Sequence, residues 1–389
     1  MLWWRAFAFL FLFFSLLTAE GIKVGGGGGS VTNELRPCEI RVIGVGGGGG
    51  NAINRMLDSD VRGVSFWCVN TDAQALASSR CSNRLHIGRD LTRGLGAGGD
   101  PSVGREAALE STKDVTRMVA GADMVFVTAG MGGGTGSGAA PVVAAAAKAS
   151  GALTVGVVTK PFAFEGRRRM KQAISGIEAL QDECDTIIVI SNDKLLSIVP
   201  ANTPVTEAFL VADDILRQGI IGISEIIVKP GLINVDFADV KAVMQDAGSA
   251  LMGIGTGRGP NRAVDAAVAA ISSPLLDFPV LNAKGIVFNI VGGPGFSIQE
   301  VQKASTVIYE NVDPDANIIF GASIQKDMEN ELSITVLATG IQQSVEDAIA
   351  RAGGDIAPIL PPTPTSAKPR TASSSLPGFL RPSSSSSSS

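Results

Sequence analysis

The 389-residue chain carries 32 basic and 37 acidic residues, a net charge of −5, and 45% apolar residues. That balance offers no basic field for nucleic acid and enough apolar material for two domains. Four scattered cysteines (Cys38, Cys68, Cys81, Cys184) and a single histidine, His86, have no metal-ligand spacing, which argues against a zinc centre or a His-based catalytic centre.

Residues 1–20 read as a signal-peptide-like leader, in which Arg5 precedes the apolar run 6–17 and Thr18, Ala19, Glu20 and Gly21 break it. The run is too short for a comfortable membrane span. Residues 21–37 form a glycine-rich linker or a thin transit segment. From Cys38 onward, strand-like and helix-like segments alternate as in a doubly wound parallel-sheet α/β domain. Strands are expected at 39–45, 64–70, 123–129 and 153–159, and helices from 52–57, over 101–119 and over 139–149. Pro101 suits the first turn of the second helix.

Two glycine-rich loops follow strands in this domain: VIGVGGGGGNA (residues 42–52) and VFVTAGMGGGTGSGAAP (residues 125–141). Glycine lets backbone N–H groups approach phosphate oxygens closely, so two such loops can hold a polyphosphate from both sides. The loops sit at the carboxyl ends of their strands, where parallel sheets place ligands. A third glycine cluster, GLGAGGDPSVG (residues 94–104), precedes the Pro101 helix and aims its positive end at the same region. Gly44, Gly46 and Gly49 also fit G-x-G-x-x-G, with Asp72 where a ribose-binding acid would sit, so a dinucleotide-dependent oxidoreductase is an alternative. No G-x-x-x-x-G-K-[ST] occurs at either loop.

A long helix is expected over 205–228, with Phe209, Ala212, Leu216, Ile220, Ile223 and Ile227 on a three-to-four-residue period, stopped by Lys229, Pro230 and Gly231. At roughly 35 Å it is long enough to cross one domain and join it to the next. Asp236 and Asp239 stand three apart at the head of a helix expected over 237–244; spacing alone reads them as an N-cap and a first-turn acid. Residues 245–345 read as a smaller α/β domain, glycine-rich over 247–259, with helices at 262–271 and 298–310 and strands at 285–291, 317–322 and 332–338. The tail from 346 to 389 turns to Pro, Thr and Ser and lacks the apolar content for a core, apart from the island LPGFLRP at 376–382.

GMGGGTGSGAAP in the second loop resembles the signature loop shared by tubulin and FtsZ, the GTPase that polymerises at the division site of bacteria and plastids. IRVIGVGGGGGNAINRM (40–56), VNTDAQAL (69–76), KPFAFEGRRRM (160–170), NDKLL (192–196) and GLINVDFADVK (231–241) resemble FtsZ segments in the same order. The resemblance spans about residues 38–345 and implies a tubulin/FtsZ-like fold: a GTP-binding domain (38–204), a central helix (205–230) and a C-terminal polymerisation domain (231–345).

It further implies a GTP site. Gly47, Gly48, Gly49, Gly50, Asn51 and Asp72 would contribute from the first loop and the second strand, and Ala97, Gly98 and Gly99 would lie against the terminal phosphate. Gly132, Gly133, Gly134, Thr135 and Gly136 would cradle phosphates, Glu165 and Arg169 would face the ribose, and Phe209 would stack on the base. Asn192 and Asp213 would hold guanine, with adjacent Asp214 as the alternative contact. Guanine presents N1–H and N2–H₂ donors that one carboxylate accepts together, whereas adenine presents an acceptor at N1.

Asn234, Asp236 and Asp239 would reach the nucleotide of the next subunit and polarise the attacking water, with Mg²⁺ bound through the phosphates. The implied partners are further copies in head-to-tail filaments, a second FtsZ isoform, and a membrane-tethering adaptor bound through Leu376 to Arg381. An assembly-incompetent regulatory GTP-binding protein is the alternative. The leader suits delivery through the secretory route to the stroma of a plastid that came from another alga. A mitochondrion, an uncleaved anchor or a bacterial cytoplasm are the alternatives.

Overall fold

The computed structural model describes residues 38–58, 63–196, 203–229, 231–233, 235–276, 283–325, 328 and 330–341. The leader, the 21–37 segment, Pro230, Asn234 and the tail with its 376–382 island lie outside them.

The first half alternates as the apolar pattern predicts. β1 (Ile40–Val45) feeds α1 (Gly46–Met56); β2 (Val64–Asn70), α2 (Ala73–Ser78), β3 (Asn83–His86) and α3 (Arg89–Thr92) follow. Next come α4 (Pro101–Glu110), α5 (Thr112–Val119), β4 (Met124–Gly130), α6 (Gly134–Ala149), β5 (Leu153–Lys160), α7 (Arg167–Gln181), β6 (Thr186–Ser191) and α8 (Asn192–Leu195). The long α9 (Val205–Val228) and α10 (Phe237–Met244) lead to β7 (Gly248–Arg258), α11 (Arg262–Ile271), β8 (Gly285–Gly292), α12 (Ile298–Tyr309), β9 (Asn317–Ile324) and β10 (Glu331–Thr339).

The hydrogen-bonded strand order is β3-β2-β1-β4-β5-β6-β7-β10-β8-β9 in one ten-stranded sheet. It is parallel from β3 through β7, then antiparallel on both sides of β10. Strands in its centre are covered on both faces, which is why β4 and β5 read as continuous apolar runs rather than alternating ones. Ile40, Val42 and Phe126 pack against Ile53 of α1 and Leu216 and Ile220 of α9, while Ile43, Val45 and Val127 pack against α5, α6 and α7.

Several boundaries differ from the sequence expectation, each for a packing reason. α1 begins at Gly46 instead of residue 52, because a side chain on Gly49 would overlap the Thr128 carbonyl of the neighbouring strand. Close approach outweighs the low helix propensity of glycine there. α6 likewise begins at Gly134 instead of residue 139: a Cβ on Gly134 would stand 2.8 Å from the Asp100 amide nitrogen, so only glycine lets α4 lie across the first turn of α6. The helix expected over 101–119 breaks at Ser111, whose hydroxyl accepts the Gly88 N–H at 3.0 Å. β3 and β6, of four and six residues, were not expected. The glycine-rich stretch 247–259 is the strand β7, whose Gly253, Gly255 and Gly257 face the backbone of α11 at van der Waals overlap distance for any Cβ.

Candidate functional site

Adjacent parallel strands bring the two glycine loops together. β1 and β4 pair from Ile40↔Met124 to Val45↔Ala129, so α1 and α6 start side by side at their carboxyl ends. A Cβ on Gly46 would stand 3.0 Å from the Gly136 nitrogen, and one on Gly48 would stand 3.1 Å from Gly130. Gly47, Gly50 and Gly133, by contrast, face open space. The Thr71 and Thr135 hydroxyls meet at 2.7 Å.

Neither α1 nor α6 has a side-chain cap, and neither carries an acid in its first turn. Two helix N-termini therefore present unpaired amides and the positive ends of their dipoles to one opening, which is how a protein holds an anion without spending a lysine. The loop before α4 completes the rim: Ala97 and Asp100 close over Gly134, and Gly98 (φ +59°) and Gly99 (φ +77°) face open space in a backbone conformation that suits glycine. Gln172 of α7 donates to the Gly99 carbonyl at 3.1 Å and ties this loop to the second wall. Asp72 is turned onto its own helix: its Oδ1 accepts the Gln74 and Ala75 amides at 2.8 and 3.0 Å as the N-cap of α2. Asn51, Asn54, Asn70 and Cys68 line a small cavity beside Gly47 and Gly50.

The far wall carries the polar groups expected for a base and sugar. Glu165 accepts Arg169 at 3.1 Å with one oxygen and the Phe162 amide at 2.9 Å with the other, so the pair is held in place; the Arg169 stem abuts Gly132. Phe209 is 41% exposed, which rules out a core role, and meets the buried Phe162 edge-on at 5.3 Å. Asn192 is buried at 5% exposure, yet its Oδ1 has no hydrogen-bond partner. An orphaned buried acceptor costs about 1–3 kcal/mol, so this one marks a place where a donor-bearing ligand would be stabilised.

The two adjacent aspartates of α9 point to different places. Asp213 faces α1, with its carboxylate 3.7 Å from Arg55 Nε and only 19% of its side chain exposed; burial pushes its pKa up to about 6 against the opposing pull of Arg55. Asp214 accepts Arg217 Nε at 2.7 Å and Gln218 Nε2 at 2.5 Å and lines a separate cavity with Leu210, Ile254 and Thr256. Arg55 escaped the sequence reading, although its i, i+4 spacing from Asn51 would have put it on the same face of α1.

The acid pair lies elsewhere. Asp236 N-caps α10 through a 2.8 Å bond from the Asp239 amide, and both carboxylates are exposed. Val228, fifteen residues beyond Asp213 and thus roughly 22 Å along the axis of α9, packs over Gly63 at the start of β2. That is the amino end of the parallel strands, opposite the glycine loops at their carboxyl ends, so one chain does not bring its own Asp236 and Asp239 to its own loops. Asn234 lies outside the described residues.

Residues 39–200 match the model of the Tubulin/FtsZ family, GTPase domain, and residues 248–342 that of the FtsZ family, C-terminal domain. Among solved structures, the chain is similar to an empty FtsZ dimer from M. jannaschii at 45% identity, over 79% of this chain and 90% of that one, with a TM-score of 0.77. A point mutant of the same FtsZ matches at 45% identity, over 79% and 92%, with a TM-score of 0.76. CetZ2 from Haloferax volcanii, in a GTPγS-bound protofilament, shares the fold at 23% identity, over 81% and 98%, with a TM-score of 0.68.

Proposed function

The chain belongs to the FtsZ family, with a Tubulin/FtsZ GTPase domain and an FtsZ C-terminal domain, and from that premise we propose that it polymerises head to tail and hydrolyses GTP at the junctions between copies. The observation that carries the proposal is the separation of its two functional ends. Among the described residues, the carboxylates around the opening, Asp72, Asp100 and Glu165, are engaged by neighbouring amides or side chains, and the exposed Asp236 and Asp239 stand away from the glycine loops. Stacked in one polarity, each copy supplies what its neighbour lacks.

In this reading the amides of α1 and α6 absorb phosphate charge, Asn192 and Asp213 take the guanine edge, and Phe209 covers its face. Asp236 and Asp239 of the next copy orient the water that attacks the γ-phosphorus; the bond to the β–γ bridging oxygen breaks and inorganic phosphate leaves. Among the described residues, no three carboxylate, His or Cys side chains gather into a metal site. Mg²⁺, when bound, would be held through the phosphates and water, where it would neutralise charge. In this reading turnover is slow and serves as a clock for filament lifetime.

The rate per chain, measured against chain concentration, tests this: it should rise steeply through the assembly range and vanish on dilution. A specific rate independent of concentration would overturn the proposal. The phosphate end has its own check in a pair of variants. Gly47→Ala adds a methyl group that meets no protein atom within 4 Å, so it should leave the melting temperature unchanged while weakening nucleotide binding. Gly49→Ala forces a methyl group against the Thr128 carbonyl and should cost about 1–3 kcal/mol of stability. Equal nucleotide affinity in Gly47→Ala and the native chain would remove the phosphate from this loop.

We further assign the chain to plastid division, on the strength of its leader and of the 376–382 island as the handle for a membrane-tethering adaptor. A reporter fused to residues 1–37 tests the destination; its arrival in mitochondria would overturn the assignment.

A further inference from the structure

We propose that Arg55 is a specificity-determining residue: without touching the nucleotide, it keeps Asp213 ionised and so sets the pH below which the site no longer selects guanine. The proposal rests on the reading of Asp213 as the guanine-binding carboxylate.

The geometry isolates the pair. α1 packs along α9, and Arg55, the last-turn base of α1, reaches to 3.7 Å from the Asp213 carboxylate. Asp58, the other acid within its field, is held by Arg80 at 2.6 Å. On α9 itself, Asp214 is turned away to Arg217 and Gln218. β5 brings Lys160 to the same end of the sheet and α8 brings Asp193 and Lys194, with Asp193 accepting the Ala163 amide at 2.9 Å. β8 and β9, which also pack on α9, carry no charged residue. Of these groups, Arg55 is the one whose charge acts on Asp213.

A carboxylate can accept guanine N1–H and N2–H₂ together only when ionised. Protonated, it turns a donor toward two donors, and the recognition is lost. Burial already pushes the Asp213 pKa up to about 6 with Arg55 in place, so little margin separates this group from neutral pH. An opposite charge at this distance lowers a carboxyl pKa by about 1–3 units. Loss of Arg55 therefore carries the titration of Asp213 into the neutral range.

The test is the equilibrium affinity for GTP from pH 5.5 to 8.5, in the full chain and in its Arg55→Gln, Arg55→Lys, Asp213→Asn and Arg55→Gln/Asp213→Asn variants, with thermal melts to confirm folding. Arg55 is about one-third exposed, so its replacement is compatible with the fold. Titration of the γ-phosphate is common to all five chains and cancels between them. In Arg55→Gln the fall in GTP affinity on the acid side should move upward by about one pH unit. Arg55→Lys should bring it back toward the native position, and with Asp213→Asn in the background Arg55→Gln should move nothing. An unchanged acid limb in Arg55→Gln, or a loss of equal size on the Asp213→Asn background, would overturn the proposal while leaving the guanine assignment standing. Asp213→Asn chains that still prefer GTP over XTP as the native chain does would overturn that assignment, and this proposal with it.

Discussion

Asp236→Asn chains should bind GTP with native affinity and hydrolyse it at least about 10²-fold more slowly, the scale on which positioned acid–base groups act. Asparagine is the chosen replacement because Asp236 also caps α10 by accepting the Asp239 amide, and Asn caps a helix about as well as Asp. The fold is then preserved and the loss falls on the chemistry. Alanine would remove the cap as well, at about 1 kcal/mol, and mix the two effects. The decisive form of the experiment is complementation. Asp236→Asn chains keep an intact pocket but offer no acid, whereas Asp213→Asn chains keep the acids but bind GTP poorly. Mixed in labelled GTP together with unlabelled XTP, which fills the second pocket, the two chains should recover a fraction of native GTP turnover, read from the label alone because Asp213→Asn chains can hydrolyse XTP by themselves. A single chain working alone predicts no recovery at any ratio, and that outcome would dissolve the junction site.

Asp213→Asn should weaken GTP binding by about 10- to 10²-fold, since the amide oxygen still accepts one guanine donor while the amide N–H opposes the other, at about 1–3 kcal/mol. The same change should strengthen XTP binding, because xanthine carries a carbonyl at position 2 to which the new amide N–H donates. Opposite movement of the two affinities is the informative result: a damaged fold weakens both. Asp214→Asn serves as the control. Its carboxylate is engaged by Arg217 and Gln218 on a different face of α9, so GTP affinity should change little. Titration of both nucleotides against the three chains decides the matter, and a larger effect at Asp214 would exchange the two assignments.

Much of this site was legible in the chain alone, for identifiable reasons. The glycine loops stand out because backbone cannot approach phosphate past a Cβ, and the runs around Val42 and Phe126 stand out because a strand covered on both faces has no polar side to show. α9 was readable over its whole length from the spacing of Ala212, Leu216, Ile220 and Ile223, which are buried as that period requires. The helix starts at Gly46 and Gly134 were misjudged, because propensity speaks against glycine in a helix and only a neighbouring element's proximity overrides it. β7 was hidden for the same reason: its glycines answer to the backbone of α11, not to its own neighbours in sequence.

The sequence by itself determined that two glycine loops following strands, a run of polar residues suited to a base and sugar, and an acid pair at a helix start exist, because each is written in short-range patterns of residue type. Only the tertiary structure decided that Asp213 and not Asp214 turns toward α1, that Arg55 stands against it, that Asn192 keeps a buried oxygen without a partner, and that the acids end beyond the amino ends of the parallel strands. Consecutive residues on a helix point about 100° apart, and which of them meets a given neighbour is set by how that helix rolls against elements more than a hundred residues away. Long-range packing fixes that roll, and no local pattern encodes it.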